Sequence, residues 1–238
     1  MQQSREALEI YKKLNNILGQ ANALQLLGRL LHENKELDDA EQAISQAINL
    51  LSEKEDPLVV CRCHWNLGDI HFSRGETKKA INRFERALRI ASSFNWHDEQ
   101  FWNYNSLAQL SSKQGKPNEA QSHANHAKSH AINDTYLLGC AMQLQADLWY
   151  KQQRFIEAKS EALFAAEVFE RFSAVEDLKV CRATIQTIEE AISTQPASHV
   201  SDVKGEILET ILLPTPINSL FSAHGTGHHP PSRSSTKN

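Results

Sequence analysis

The chain has 238 residues, with 40% hydrophobic and 23% charged side chains, an ordinary make-up for a water-soluble protein with length for a sizeable core. Its formal net charge of -4 provides no polybasic surface, which argues against nucleic acid and membranes as partners. No apolar run approaches the roughly 20 residues of a membrane-spanning helix, residues 1–9 do not resemble a signal peptide, and four cysteines are too few for a disulfide framework, so a reducing, cytoplasmic setting is expected.

Five of the seven prolines stand after residue 195, and the 194 residues before them hold only Pro57, Pro117 and six glycines. Proline costs about 3 kcal/mol inside a helix, so this long stretch is free to be almost continuously helical. Residues 4–15 open it with Leu8, Tyr11 and Leu14, followed by Ile17 and Leu18, a rather apolar leading helix. Leu24, Leu27, Gly28 and Leu31 then fall at i, i+3, i+4 and i+7, one face of a helix. Ala40, Ile44 and Ala47 fall at i, i+4 and i+7 of the next, after the turn at Asn34, Lys35 and Glu36. Asp56 before Pro57 predicts a helix N-cap with proline at the first helical position.

The same pattern returns. His64, Leu67, Gly68, His71, Ala80, Phe84 and Ala87 repeat it forty residues on, and Tyr104, Leu107, Ala108, Ser111, Ala120, Ala124 and Ala127 forty further. Met142, Gln145, Ala146, Trp149, Ala158, Ala162 and Ala165 give a fourth copy. The small residue at 28, 68, 108 and 146 stands twelve before an alanine every time, as close approach of paired helices requires. Gly75 and Gly115 suit the left-handed position after a helix end, and Pro117 the first turn of the next helix. Each unit is a helical hairpin with an uncovered face, so neighbours must stack.

The order of Leu24, Leu27, Gly28 and Leu31, then alanine, an aliphatic or aromatic residue and alanine, resembles the tetratricopeptide repeat, from residue 7 to about residue 192. The longer period resembles repeats of kinesin light chains, spindle-orientation adaptors and arrays behind NACHT or NB-ARC domains. The resemblance implies an all-α, right-handed superhelical solenoid over residues 1–194. Its expected units are a half repeat (1–17), hairpins at 18–56, 57–96, 97–133 and 134–174, and a capping helix at 177–193. Ala7 aligns with Ala47 and Ala87, so the leading helix matches the second helix of a hairpin whose first is absent. Either the chain is the end of a longer array, or an amphipathic helix packs on the first hairpin. Residues 195–238 are expected to be mostly disordered, with a short helix at 201–213 striped by Val203, Ile207, Leu208, Ile211 and Leu212.

For function, the resemblance implies a concave groove lined by the first helices of the hairpins. Carried over position by position, its candidate partner-binding residues are Arg29, Arg62, Trp65, Asp69, Phe72, Trp102, Asn105, Gln109, Asp147 and Tyr150. Aromatics beside arginine, asparagine and aspartate favour concentrated binding energy. The carboxylate clamp of chaperone-tail adaptors is missing, since Gln25, Arg29, Trp102 and Ser106 occupy its positions. Motifs of phosphate-binding loops, nucleophile elbows and zinc proteases are absent, so no enzyme and no cofactor is expected. Cys61 and Cys63 point to different sides of one helix and cannot share an ion. His123, His126 and His130 form a stripe with Glu119, facing solvent, which gives at most a weak metal-dependent alternative. The expected role is a non-catalytic adaptor or scaffold binding a protein or peptide, with self-assembly through the apolar N-terminal end as the rival reading.

Overall fold

The computed structural model describes residues 1–194. The expected tail, with its stripe at 201–213 and His224, His228 and His229, lies outside the described residues. Ten α-helices fill the described part: α1 (Gln2–Lys13), α2 (Ile17–Glu33), α3 (Leu37–Leu50), α4 (Pro57–Ser73), α5 (Thr77–Ser93), α6 (His97–Lys113), α7 (Pro117–His130), α8 (Thr135–Lys151), α9 (Phe155–Arg171) and α10 (Val175–Ser193).

Local chemistry fixes the ends of these helices. Asn16, Asp56 and Asp134 accept hydrogen bonds from the Gly19, Val59 and Leu137 amides at 2.8, 3.0 and 3.0 Å, which satisfies first-turn donors of α2, α4 and α8. Seven connections pass through a left-handed residue: Asn15, Lys35, Gly75, Asn95, Gly115, Gln153 and Ser173. The next amide then closes back on the helix, as from Glu76 to the His71 carbonyl at 2.8 Å and from Arg154 to that of Trp149 at 2.9 Å. This Schellman geometry satisfies the last carbonyls and reverses the chain sharply.

Within each hairpin, the small residue of the first helix meets the second helix sixteen positions on. A Cβ added to Gly28 would overlap the Ile44 side chain, and one at Gly68 the Phe84 ring. In the third and fourth hairpins both partners are alanine, with Ala108 and Ala124 in one buried cluster and Ala146 and Ala162 in another. Bulk gained on one helix is thus matched by bulk lost on its partner.

The helices form two layers. Backbones of α2, α4, α6, α8 and α10 approach each other in succession, whereas α3, α5, α7 and α9 pack only on their sequence neighbours at that range. The even-numbered helices are therefore the closely spaced inner layer, and the odd-numbered ones fan apart on the outside. Lys128 bridges the outer gap between α7 and α9, reaching Glu161 at 3.3 Å.

The two ends differ in character. On α10, Lys179, Arg182, Gln186 and Glu189 occupy the register in which α4 places Cys61, His64, Gly68 and His71, so its outer face is polar beyond the exposed Val175 at its start. At the other end α1 packs on α2 while Ile10, Leu14, Ile17 and Leu18 stay exposed, Leu14 by 68%.

Candidate partner-binding surface

The inner layer is stitched by side chains about one unit apart. His32 Nε2 meets Ser73 Oγ at 2.8 Å, and the Trp65 indole N–H donates to Ser106 Oγ at 3.1 Å. Tyr136 donates to Asp177 at 2.8 Å, and Gln143 to Thr184 at 3.0 Å. Each pair is 41 residues apart, so one spacing recurs across the α2–α4, α4–α6 and α8–α10 contacts.

The candidate residues sit within this lattice. Between α4 and α6, Arg62 reaches Glu99 at 2.7 Å, its side chain half exposed while the carboxylate is largely covered. Trp65 and Trp102 are half-buried with ring centroids 6.4 Å apart, and Phe101 meets Trp102 edge-on at 4.9 Å. Phe72 carries the Lys113 ammonium 4.8 Å above its ring, a cation–π contact. Arg29 pairs with Glu33 at 3.5 Å on its own helix. Asp69 is half-buried on α4. Gln109 donates to the Asn105 side-chain Oδ1 at 2.8 Å, and Asn105 itself is only 1% exposed. Tyr150 packs on Phe155 at 5.6 Å.

The structure thus brings Arg62, Trp65, Phe72 and Trp102 together and leaves Arg29 and Tyr150 toward opposite ends of the inner layer. Sequence reading missed their partners Glu99, Ser106 and Lys113. The available signal was register, because each lies 37 to 41 residues beyond the group it serves.

Asp147 belongs to a polar junction between α8 and α10. Gln143 donates to Asp147 Oδ1 at 3.0 Å, and the Cys181 thiol donates to Gln143 Oε1 at 2.6 Å. Burial raises the Asp147 carboxyl to about 6, against the opposing pull of Lys151 and the Gln143 hydrogen bond. Lys151 also donates to Ser112 at 2.9 Å, beside a cavity of about 400 Å³ lined by Gly115, Pro117 and Leu148.

The cysteine pair of α4 is buried, whereas in the histidine stripe of α7 His126 is exposed and His123 and His130 are half-buried. Cys61 and Cys63 are fully buried, the Cys61 thiol donating to the Ala87 carbonyl at 3.3 Å, and burial pushes both thiols up to about 12. The histidine stripe folds over Tyr104: His126 and His130 stack on its ring at 4.9 and 5.6 Å, and His123 stands at 6.2 Å. His97 completes the group from α6, its Nδ1 3.2 Å from that of His130. Among the described residues no three histidine, cysteine or carboxylate side chains gather as a metal cage, and no helix is long and apolar enough to cross a membrane.

A family model described as tetratricopeptide repeat matches residues 59–133, and a second of the same description matches residues 21–50. No curated protein sequence matches the chain. Among solved structures, BtubC (BKLC) from P. vanneervenii is similar with a TM-score of 0.68 at 16% identity, over 99% of this chain and 96% of that one. The apo form of RapI gives 0.62 at 17% identity, over 87% of this chain and 60% of that one. A Rap protein complexed with competence and sporulation factor gives 0.57 at 18% identity, over 81% and 59%. At these identities the likeness is one of fold, and the chain spans about three-fifths of the two Rap structures.

Proposed function

The chain belongs to the tetratricopeptide-repeat family, and from that premise we propose that it is a non-catalytic protein-interaction scaffold, an adaptor or sensor segment that captures a peptide or domain on the inner faces of its even-numbered helices. The observation that carries this reading is the shelf at the α4–α6 contact. Trp65 and Trp102 lie half-buried side by side, with the half-exposed Arg62 next to them and Phe72 under Lys113 along the same helix. Indole and phenyl faces offer large contact area at low rotameric cost, and the adjoining cations favour a ligand with both apolar and acidic side chains. Hydrogen bonds between neighbouring units hold the shelf before a ligand arrives, so little ordering entropy is lost on binding. The Rap protein solved with competence and sporulation factor supports the reading as a binding role on the same fold.

Selection of a random peptide display library on the full chain tests this. Enriched peptides are expected to bind the wild type and to lose at least about tenfold in affinity to the Arg62→Glu/Trp65→Ala variant, whose helicity stays unchanged. Peptides that bind the variant as well as the wild type would remove the inner shelf from the account.

A second reading, self-assembly through the N-terminal end, rests on the exposed Ile10, Leu14, Ile17 and Leu18. Light scattering across a hundredfold concentration range tests it: a mass that rises with concentration and reverts in Leu14→Glu supports assembly, and a constant monomer mass rejects it.

A further inference from the structure

We propose that His97 and His130 form a two-ligand site for a borderline divalent transition cation such as zinc, tying the start of α6 to the end of α7. His97 is the first residue of α6 and His130 the last of α7. Their Nδ1 atoms stand 3.2 Å apart. Two imidazole nitrogens bonded at about 2.0–2.1 Å to one tetrahedral ion are separated by roughly 3.3 Å, so the two side chains already stand close to the required bite.

Without metal the contact is a hydrogen bond, in which one Nδ1 donates its proton to the other. With metal, both Nδ1 atoms present lone pairs and both Nε2 atoms carry the hydrogens. The exchange is a tautomer change plus a turn of one ring. Tyr104 holds the His130 ring, stacked within 8° of parallel, so the turn falls to His97, which is exposed at its helix start.

No third histidine, cysteine or carboxylate joins the pair among the described residues, so water completes the coordination. Such a site is open and exchangeable, unlike the four-ligand cages that hold structural zinc. A bound ion would clamp the third hairpin at the end away from its Gly115 turn.

Calorimetric titration with zinc chloride at neutral pH tests the proposal. The full chain carries His224→Gln, His228→Gln and His229→Gln in every sample, so that the C-terminal imidazoles do not compete. One zinc per chain is expected. His97→Gln and His130→Gln are each expected to weaken binding by about tenfold or more, and His126→Gln by less than about threefold. Circular dichroism of each variant verifies the fold. Absence of zinc binding, or an unaffected His97→Gln variant, would overturn the proposal. So would a loss in His126→Gln equal to that in His97→Gln, which would place the ion on the i, i+4 pair of α7.

Discussion

Gly68 and Phe84 meet across the second hairpin with no room for a Cβ between α4 and the Phe84 ring. The same register holds Gly28 against Ile44, and alanine against alanine in the third and fourth hairpins. Gly68→Ala gains about 1 kcal/mol of helix propensity, yet overpacking costs about 1–3 kcal/mol, so a net loss of stability is expected. In Gly68→Ala/Phe84→Ala, which recreates the alanine pair of the third hairpin, the two changes are expected to be less damaging than their sum. Urea denaturation of the four proteins in this cycle measures the coupling directly.

The left-handed turn positions give a prediction of opposite sign. Lys35 and Gln153 occupy φ of 66° and 61°, where Gly75 and Gly115 serve the equivalent turns. Lys35→Gly and Gln153→Gly are expected to raise stability by a few tenths to about 1 kcal/mol. Gly75→Ala is expected to lower it by about 1 kcal/mol although open space surrounds the position, because the cost lies in the backbone. Thermal melts of these variants separate conformational strain from packing.

His64 supplies a pH dependence. It is buried on α4, accepts a hydrogen bond at Nδ1 from Arg83 at 3.3 Å, and is held at about 4 by burial and by Arg83 and Arg86. Its folded pKa thus lies below the unfolded value near 6.5, so protonation favours the unfolded chain. The stability it contributes is complete above about pH 6.5 and is lost as pH falls toward 4, on the order of 2–3 kcal/mol. His64→Leu, the residue found at Leu24 in the first hairpin, is expected to flatten this part of the stability curve. The check is the difference in Tm between variant and wild type across that window.

Asp147 acts in the opposite sense. Its folded pKa of about 6 is raised above the unfolded value near 3.9, so ionisation disfavours the folded state. The penalty is absent below about pH 4 and complete once pH has risen through 6. Asp147→Asn is therefore expected to stabilise the chain by about 2 kcal/mol near pH 7.5 and to leave it nearly unchanged at pH 4. Chemical denaturation at the two pH values measures that contrast.

Much of this architecture was legible because repetition multiplies weak signals. One Gly28 says little, but small residues at 28, 68, 108 and 146, each twelve before an alanine, define a hairpin register. The cap at Asp56 was equally readable, since it depends only on local sequence. What stayed hidden depends on the curvature that brings successive units together. Arg62 reads as a free cation until α6 is placed beside it, and Asn105 reads as a surface amide until the inner layer closes over it. His97 was invisible as a partner of His130 for the same reason: 33 residues and a helical hairpin separate them.

The inner-surface account is tested most directly by hydrogen exchange on the full chain with and without a saturating selected peptide. Slowed exchange is expected on α4 and α6 alone, centred on the turns carrying Arg62, Trp65 and Trp102, with α5 and α7 unchanged. Protection on α5 and α7, with α4 and α6 exchanging as in the free chain, would contradict it.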